Sequence, residues 1–137
     1  MKLTTFNING IKARLPRLKE WLSETRPAIA CLQETKSQDE GFPASEFEEL
    51  GYQPIWHGQK SFNGVAILAD STAGYSISEV KRGLGIDGPK DGEGEQARYL
   101  EVDVASNGAH QARIVCIYLP NGNPQPGPKF DYKLAWM

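Results

Sequence analysis

Polar side chains that suit metal and phosphate chemistry follow two predicted strands. Glu34 comes directly after the apolar run Ala28–Gln33, and Asn7 lies near the end of the alternating N-terminal segment. Mg²⁺ takes one or two protein carboxylates and keeps several waters, so a glutamate with an amide beside it is a plausible half of a magnesium site. From spacing alone, a simpler interpretation is favoured. In it, Glu34 is a solvated carboxylate that begins a loop, and Asn7 makes hydrogen bonds to the nearby backbone.

A second polar cluster follows a predicted strand near the end of the chain. Tyr118 stands at the strand end, and the turn Pro120-Asn121-Gly122 presents Asn121. A tyrosine hydroxyl and an asparagine amide both donate hydrogen bonds to phosphate oxygens. Taken alone, the pattern is better explained by an ordinary tyrosine at a sheet edge followed by a Pro-Asn-Gly turn.

A third candidate is the polar, glycine-rich segment 58–64, which contains Gln59, Phe62 and Asn63. Such a segment suits contact with a nucleic-acid backbone, and it also suits a plain hairpin loop. The two histidines, His57 and His110, are too far apart in sequence to indicate a metal pair. The acidic, glycine-rich segment 83–94 has the wrong charge and the wrong spacing for a phosphate-binding loop.

Composition limits the classes of protein that these clusters can serve. Of 137 residues, 39% are hydrophobic and 23% are charged, which argues against disorder and against a membrane protein. The net charge of −2 lacks the basic excess typical of nucleic-acid binders, although the distribution of charge matters more than its sum. Cys31 and Cys116 lie in apolar runs without disulfide or zinc spacing, which predicts reduced core residues and a cytoplasmic protein.

The elements that must position Asn7 and Glu34 form a predicted βαβ unit. The segment Lys2–Asn9 alternates as a strand does, and Ala28–Gln33 is apolar enough for a strand that is buried on both faces. Between them, helical spacing predicts a helix, with Pro16 in its first turn and Pro27 after its end. The two strands are therefore expected to be parallel, with Asn7 and Glu34 at the edge where ligand sites of α/β sheets collect.

The rest of the chain predicts mostly strands. The predicted elements are a short helix over Ala44–Leu50, strands over Tyr52–Trp56, Asn63–Ala69, Tyr75–Val80, Ala97–Val104 and Gln111–Leu119, and a final helix from Lys129. The dipeptide Asn107-Gly108 between the last two strands predicts a tight hairpin.

The quoted segments, taken together and in order, resemble a known family. These are "FNING" at Asn7, "LQETK" at Glu34, "HGQKSFNGVAIL" from His57, "QAR" at Arg98 and "YLPNGN" from Tyr118. They resemble the exodeoxyribonuclease III group of apurinic/apyrimidinic (AP) endonucleases, in the endonuclease/exonuclease/phosphatase superfamily. The resemblance runs over essentially all 137 residues, but it covers only about the first half of a family member.

The resemblance implies a fold and an activity. The expected fold is α/β, the first half of a four-layered, deoxyribonuclease I-like sandwich with a mixed sheet and flanking helices. Residues 1–137 would form the N-terminal half of a single domain, truncated at its C-terminal end. Family members use Mg²⁺ or Mn²⁺ to cleave double-stranded DNA 5′ of abasic sites and to remove nucleotides from 3′ ends. A monomer is expected at full length.

The resemblance also implies roles for individual residues. Glu34 matches the family's metal-ligating glutamate, and Asn7 matches an asparagine that orients the catalytic groups and is a second candidate metal ligand. Tyr118 matches the active-site tyrosine near the scissile phosphate. The residues expected to contact DNA are Lys36, Gln59, Asn63, Arg98 and Asn121. Asn9 stands where some relatives carry an aspartate near the metal.

Two family motifs, Gly-Asp-x-Asn and Ser-Asp-His, are absent from the 137 residues. They supply the groups that activate water and protonate the leaving group, so the chain is expected to be a fragment that is inactive alone. It is also expected to supply roughly one of the two sheets and to leave an apolar inner face exposed. Two other interpretations stay open. One is a related phosphodiesterase acting on RNA, inositol phosphates or lipids, and the other is a non-catalytic nucleic-acid-binding half-domain.

Overall fold

Two β-sheets pack face to face in the computed structural model, which describes all 137 residues. The first sheet has the spatial order β1 (Leu3–Asn7), β2 (Ile29–Gln33), β4 (Val65–Asp70) and β3 (Tyr52–His57). The second has the order β5 (Tyr75–Arg82), β6 (Tyr99–Ser106) and β7 (Ala109–Ile117). The expectation that the chain supplies about one sheet with an exposed inner face is therefore wrong.

Three α-helices complete the chain: α1 (Ile11–Thr25), α2 (Ala44–Glu49) and α3 (Pro128–Trp136). One apolar cluster joins α1 and α2 to the outer face of the first sheet, and a second fills the space between the sheets. Since β1 and β2 are parallel and every other strand pair is antiparallel, the arrangement is mixed as predicted. The predicted α/β sandwich class is confirmed.

The two sheets differ in how their strands are covered. All six residues of β4 are buried, and so are the first four of β2, because helices cover one face and the second sheet covers the other. Along β6, Leu100 and its alternate neighbours point into the core while Tyr99 and its alternate neighbours point outward. In the sequence, β2 and β4 are therefore continuous apolar runs, whereas apolar and polar residues alternate along β6.

The predicted βαβ unit is present, with one local correction. Strands β1 and β2 pair in parallel, with Asn7 opposite Gln33. Helix α1 begins at Ile11, so Pro16 lies inside the helix and not in its first turn as predicted. At that position proline removes the hydrogen bond to the carbonyl four residues earlier. The helix ends at Thr25 just before Pro27, as predicted, with Arg26 in the left-handed region.

Other local predictions are confirmed. Asn107 and Gly108, both with positive φ, form the tight turn between β6 and β7. Both cysteines are free and buried. Strand β7 ends at Ile117, so Tyr118 is the first residue beyond it and not its last. None of the α-helices is long and apolar enough to cross a membrane.

Candidate active site

The ends of β2 and β7 bring together two side chains that are 84 residues apart in sequence. Glu34 follows β2 in the first sheet, and Tyr118 follows β7 in the second. The Tyr118 hydroxyl donates a hydrogen bond to Glu34 Oε1. The candidate carboxylate and the candidate hydroxyl therefore meet where the two sheets face each other.

A small polar network surrounds the Glu34 carboxylate. The Asn9 backbone N–H donates to Asn7 Oδ1 at 3.0 Å, and Lys36 Nζ donates to Asn9 Oδ1 at 2.6 Å. Lys36 Nζ also lies 3.6 Å from Glu34 Oε2. The hydrogen bond from Tyr118 lowers the pKa of the Glu34 carboxyl, helped by the Asn7 amide and the Lys36 charge and opposed by burial. Glu34 is thus held as a carboxylate.

The backbone at this site is unusual. Asn9, Glu34 and Lys36 adopt the left-handed region, with φ of 47°, 56° and 51°. Non-glycine residues rarely adopt this conformation, and it persists where the surroundings fix the chain. Here the Gly10 N–H donates to Glu34 O at 2.8 Å, and the Lys36 N–H donates to Asn63 O at 2.9 Å. Bonds from two neighbouring segments therefore fix the turn that presents Glu34.

Gly64 fits this turn against β6. Thr35 donates to Gly64 O at 3.2 Å, and the Gly64 N–H donates to Ala97 O at 2.8 Å. With φ of +94°, Gly64 occupies a conformation that favours glycine, and a Cβ there would overlap Thr35 Oγ1. The close approach of these segments requires glycine at this position.

A polar cleft of about 310 Å³ lies near Tyr118, to which it is linked by Arg98. Four of the five predicted DNA-binding residues line it, namely Gln59, Asn63, Arg98 and Asn121. Lys36, the fifth, lies next to Glu34 instead. Asn63 is only 8% exposed, and its Nδ2 donates to Gln59 Oε1 at 3.1 Å. Gln59 Oε1 also accepts from the Ala97 N–H at 2.7 Å, so Gln59 and Asn63 hold the shape of segment 58–64.

Arg98 connects the cleft to Tyr118. Its Nη1 donates to Tyr118 O at 3.0 Å, and the Tyr118 N–H donates back to Arg98 O at 2.9 Å. The Arg98 Nε donates to Gln96 Oε1 at 2.6 Å. The guanidinium carbon lies 4.7 Å from the centre of the Tyr118 ring, within cation–π range. Arg98 therefore holds the backbone and the ring of Tyr118 while it lines the cleft.

Sequence reasoning missed several residues of the cleft, among them Gln96, Lys129 and Tyr132. Lys129 and Tyr132 are three residues apart in α3, so they lie on one face of the helix. The helical pattern of α3 indicates this shared face. It does not indicate which part of the molecule the face contacts.

The donor atoms around Glu34 fit a hard divalent cation. No group of three or more His, Cys, Asp and Glu residues is arranged to hold a metal, so any ion here depends on one carboxylate and neutral oxygens. The Lys36 ammonium lies near oxygens of both Glu34 and Asn9, so these oxygens already face a positive charge. One carboxylate with oxygen neighbours and room for water matches the ligand preference of Mg²⁺ or Mn²⁺.

The chain is similar to known proteins over most of its length. The chain is 38% identical over 104 residues to exodeoxyribonuclease III of Haemophilus influenzae, which covers 76% of this chain and 36% of that protein. A 3′ phosphatase, NExo from Neisseria, solved with a product DNA hairpin, matches 99% of this chain and 48% of its own, with TM-score 0.83 and 34% identity.

An AP endonuclease from Archaeoglobus fulgidus also matches 99% of this chain and 48% of its own, with TM-score 0.77 and 34% identity. The chain thus spans about half the length of these structural relatives and about a third of the Haemophilus protein. The model of the Endonuclease/Exonuclease/phosphatase family matches residues 4–136. The chain belongs to this family and corresponds to the N-terminal half of its exodeoxyribonuclease III and AP endonuclease members.

Proposed function

We propose that the chain carries one half of the active site of a metal-dependent DNA-repair phosphodiesterase with 3′–5′ exodeoxyribonuclease and AP endonuclease activity. The contact between Tyr118 and Glu34 supports this proposal most directly. It joins a charged carboxylate to a protonated donor at the meeting point of two sheets. A polar cleft near Tyr118 carries several amides and cations and one carboxylate, that of Glu93. Two of the relatives are nucleases by name and the third is a 3′ phosphatase, and their substrates are extended to this chain as part of the proposal.

In this proposal Glu34 holds Mg²⁺ or Mn²⁺, and Asn7 orients the carboxylate or contributes a second ligand. A bound divalent ion supplies Lewis-acid stabilisation of the charge that develops on the phosphate. Asn7 Oδ1 accepts from the Asn9 backbone N–H, and the Asn7 amide helps to lower the pKa of the Glu34 carboxyl, which supports the orienting role. Its role as a metal ligand stays a prediction.

Tyr118 acts as a hydrogen-bond donor to the reacting phosphate. Burial and the hydrogen bond to Glu34 raise the pKa of Tyr118 above its ordinary value. The hydroxyl therefore keeps its proton at neutral pH. A fixed donor of this kind stabilises a transition state more than it stabilises the ground state.

Arg98 and Asn121 bind backbone phosphates of double-stranded DNA in this proposal, while Gln59 and Asn63 shape the cleft wall and Lys36 balances the charge of Glu34. The substrates are DNA with abasic sites or with 3′ ends. A cytoplasmic location and a monomer at full length belong to the same proposal. Residues 1–137 form the N-terminal half of one domain.

The test uses the chain extended to the length of its relatives. With Mg²⁺ it should incise a duplex that carries a single abasic site, and a chelator should stop the reaction. Glu34→Gln should slow incision on the order of 10²-fold or more, because the metal supplies several kcal/mol of charge stabilisation. Partial recovery at high Mg²⁺ is expected, with DNA affinity measured without metal nearly unchanged.

Glu48→Gln, which removes a charge from the exposed face of α2, is the matched control.

RNA and phosphoinositide substrates tested beside the abasic duplex separate the DNA-repair proposal from related phosphodiesterases. Preferred cleavage of either one would contradict the DNA-repair proposal, and unchanged turnover in Glu34→Gln would remove Glu34 from the site.

A non-catalytic nucleic-acid-binding half-domain is the second candidate. It is favoured by the polar cleft, because Arg98, Asn121 and Lys129 suit contact with a nucleic-acid backbone without any metal. We expect the 137-residue chain by itself to show no incision of abasic DNA. Metal-dependent incision by this chain alone would exclude the second candidate.

A further inference from the structure

The only buried residue of α3 is Tyr132, which is 7% exposed. The rest of the helix is exposed or half-buried, so Tyr132 is its main anchor to the body of the protein. The place where it anchors is the Arg98 side chain, whose guanidinium carbon lies 6.0 Å from the centre of the Tyr132 ring. Helix α3 thus contacts Arg98 through Tyr132, while Lys133 of the same helix lies against Gly122.

Arg98 lies near two tyrosine rings. Its guanidinium carbon is 4.7 Å from the centre of the Tyr118 ring and 6.0 Å from the centre of the Tyr132 ring. Two side-chain hydrogen bonds also hold the guanidinium, one to Tyr118 O and one to Gln96 Oε1. Arg98 and Tyr132 both line the cleft. The guanidinium is therefore within reach of an aromatic ring from α3 as well as that of Tyr118.

The Tyr132 hydroxyl does not share in this network. It is buried and makes no hydrogen bond with acceptable geometry, although it lies near Arg98. A buried hydroxyl without a partner carries a desolvation cost. The contribution of Tyr132 must therefore come from its ring.

We propose that Tyr132 is a positioning residue that acts through Arg98 to hold Tyr118 in register with Glu34. The inference rests on the proposed function, because it assigns Tyr132 to the support of that same site. Its ring packs near the Arg98 guanidinium, and Arg98 in turn contacts the ring and the carbonyl of Tyr118. A loss of the ring lets the guanidinium and the Tyr118 ring shift together.

The kinetic test uses the chain extended to the length of its relatives. Tyr132→Leu should lower the single-turnover incision rate on the order of tenfold or more, since a small misplacement of a catalytic group costs up to about 10²-fold. The apparent KM should change by less than the rate. Tyr132→Phe keeps the ring and should restore most of the rate that Tyr132→Leu loses.

Two controls separate positioning from general damage to α3. Phe130→Leu removes a half-buried aromatic from the same helix that is not part of the Arg98 stack, and it should retain the rate. In an Arg98→Lys background, Tyr132→Leu should cause no further loss, because residues that act through one another are not additive. An equal loss in both backgrounds would overturn the proposal, as would a loss in Tyr132→Phe as large as that in Tyr132→Leu.

A second measurement needs no nuclease activity. In the 137-residue chain, the NMR signal of the Arg98 Nε–H, assigned by its disappearance in Arg98→Lys, reports whether the guanidinium is fixed. Tyr132→Leu should shift or broaden this signal, while Tyr132→Phe and Phe130→Leu leave it in place. An unchanged signal in Tyr132→Leu refutes the proposal even if the protein is a nuclease. An extended chain that cleaves no DNA refutes the proposed function, and the NMR comparison then still decides the Tyr132–Arg98 contact.

Discussion

Glu34 and Tyr118 hold each other in the protonation states that the proposed chemistry needs. The Tyr118 hydrogen bond lowers the pKa of the Glu34 carboxyl, while burial and the same hydrogen bond raise the pKa of Tyr118. Near neutral pH the carboxylate is therefore charged and the phenol keeps its proton. One residue can attract a cation while the other donates to an anion.

Tyr118→Phe tests this arrangement in the extended chain. The change removes only the hydroxyl, so the ring still packs under Arg98. We expect turnover to fall on the order of 10²–10³-fold, as for loss of one oxyanion-hole donor. Single-turnover incision rates and melting temperatures are compared with those of Tyr99→Phe, where the hydroxyl also donates to a carboxylate, Glu101, but on the outer face of β6. A rate equal to wild type, or a rate lost only in step with stability, would rule out a catalytic role for Tyr118.

A second carboxyl with a lowered pKa, that of Asp70, lies far from the candidate site. Asp70 is 3% exposed and accepts hydrogen bonds from Arg26 and Thr72. Burial acts to raise the pKa of Asp70, but the bonds from Thr72 and Arg26 outweigh it, so the pKa is lowered. A carboxyl with a lowered pKa in the folded state stabilises the fold above its unfolded pKa and loses that contribution as the pH falls.

Asp70→Asn should therefore destabilise the chain near pH 7 and much less in acid. We expect a loss of about 2–3 kcal/mol, below the range for fully buried pairs because Arg26 is partly exposed. The difference from wild type should be fully present above about pH 4 and shrink as the pH falls through the lower folded pKa. Urea unfolding between pH 7 and pH 2 measures it, with Asp91→Asn on the exposed loop as the control for loss of one charge. A difference that does not vary with pH would contradict this assignment.

At the scale of elements, the turn that presents Glu34 depends on a neighbouring loop. Segment 34–36 has left-handed residues at Glu34 and Lys36, and its backbone N–H groups donate hydrogen bonds to Asn63 O and Gly64 O. Gly64 is bonded in turn to Ala97, just before β6. The loop after β3 therefore links the turn at Glu34 to the second sheet through hydrogen bonds.

Gly64→Ala should destabilise the fold and displace Glu34 together. The positive φ costs about 1 kcal/mol for a residue with a Cβ, and the overlap with Thr35 adds about 1–3 kcal/mol. Gly85→Ala is the matched control, since Gly85 also has positive φ, at +76°, but its Cβ would meet nothing within 4 Å. Urea unfolding and, in the extended chain, incision rates distinguish the two. Equal effects in both variants would show that the close approach at Gly64 does not matter.

For the whole molecule, the inner faces of the sheets are covered but their edges are not. Strands β2 and β4 pack over β7, and β3 packs over β5, so the open strands β1 and β7 lie on the same side. Leu3 on β1 is 52% exposed, and Val115 and Ile117 on β7 are 43% and 47% exposed. Open edges with apolar side chains favour pairing with another chain.

We therefore expect the 137-residue chain to self-associate as its concentration rises. Ile117→Lys places a charge on the exposed edge and should reduce association, as charged residues on edge strands do in natural proteins. Val80→Lys on β5, at the opposite side of the second sheet, should reduce it less. Sedimentation over a concentration series measures the effect. A monomer at all concentrations, or equal effects of the two variants, would contradict association through β1 and β7.

Local patterns in the sequence were enough to predict the order of nearly every helix and strand. The apolar runs, the alternation along β6 and the Asn107-Gly108 turn each reflect contacts between near neighbours or burial of a single strand. The short motifs around Asn7, Glu34 and Tyr118 also identified the family, because each is a contiguous stretch of residues. Pro16 was misplaced because packing of α1 against the first sheet extends the helix before the proline.

Tertiary structure alone decided which of these residues meet and what each contact does. The Tyr118–Glu34 hydrogen bond spans 84 residues and two sheets, so no local pattern contains it. Asn63 was predicted to contact DNA; it lines the cleft but is only 8% exposed, since its side chain donates to Gln59, which also accepts from Ala97. The attachment of α3 through Tyr132 and Arg98 likewise depends on two segments that approach only in the folded chain. Residue types reveal the available chemistry, whereas distances between remote segments exist only once the sheets have packed.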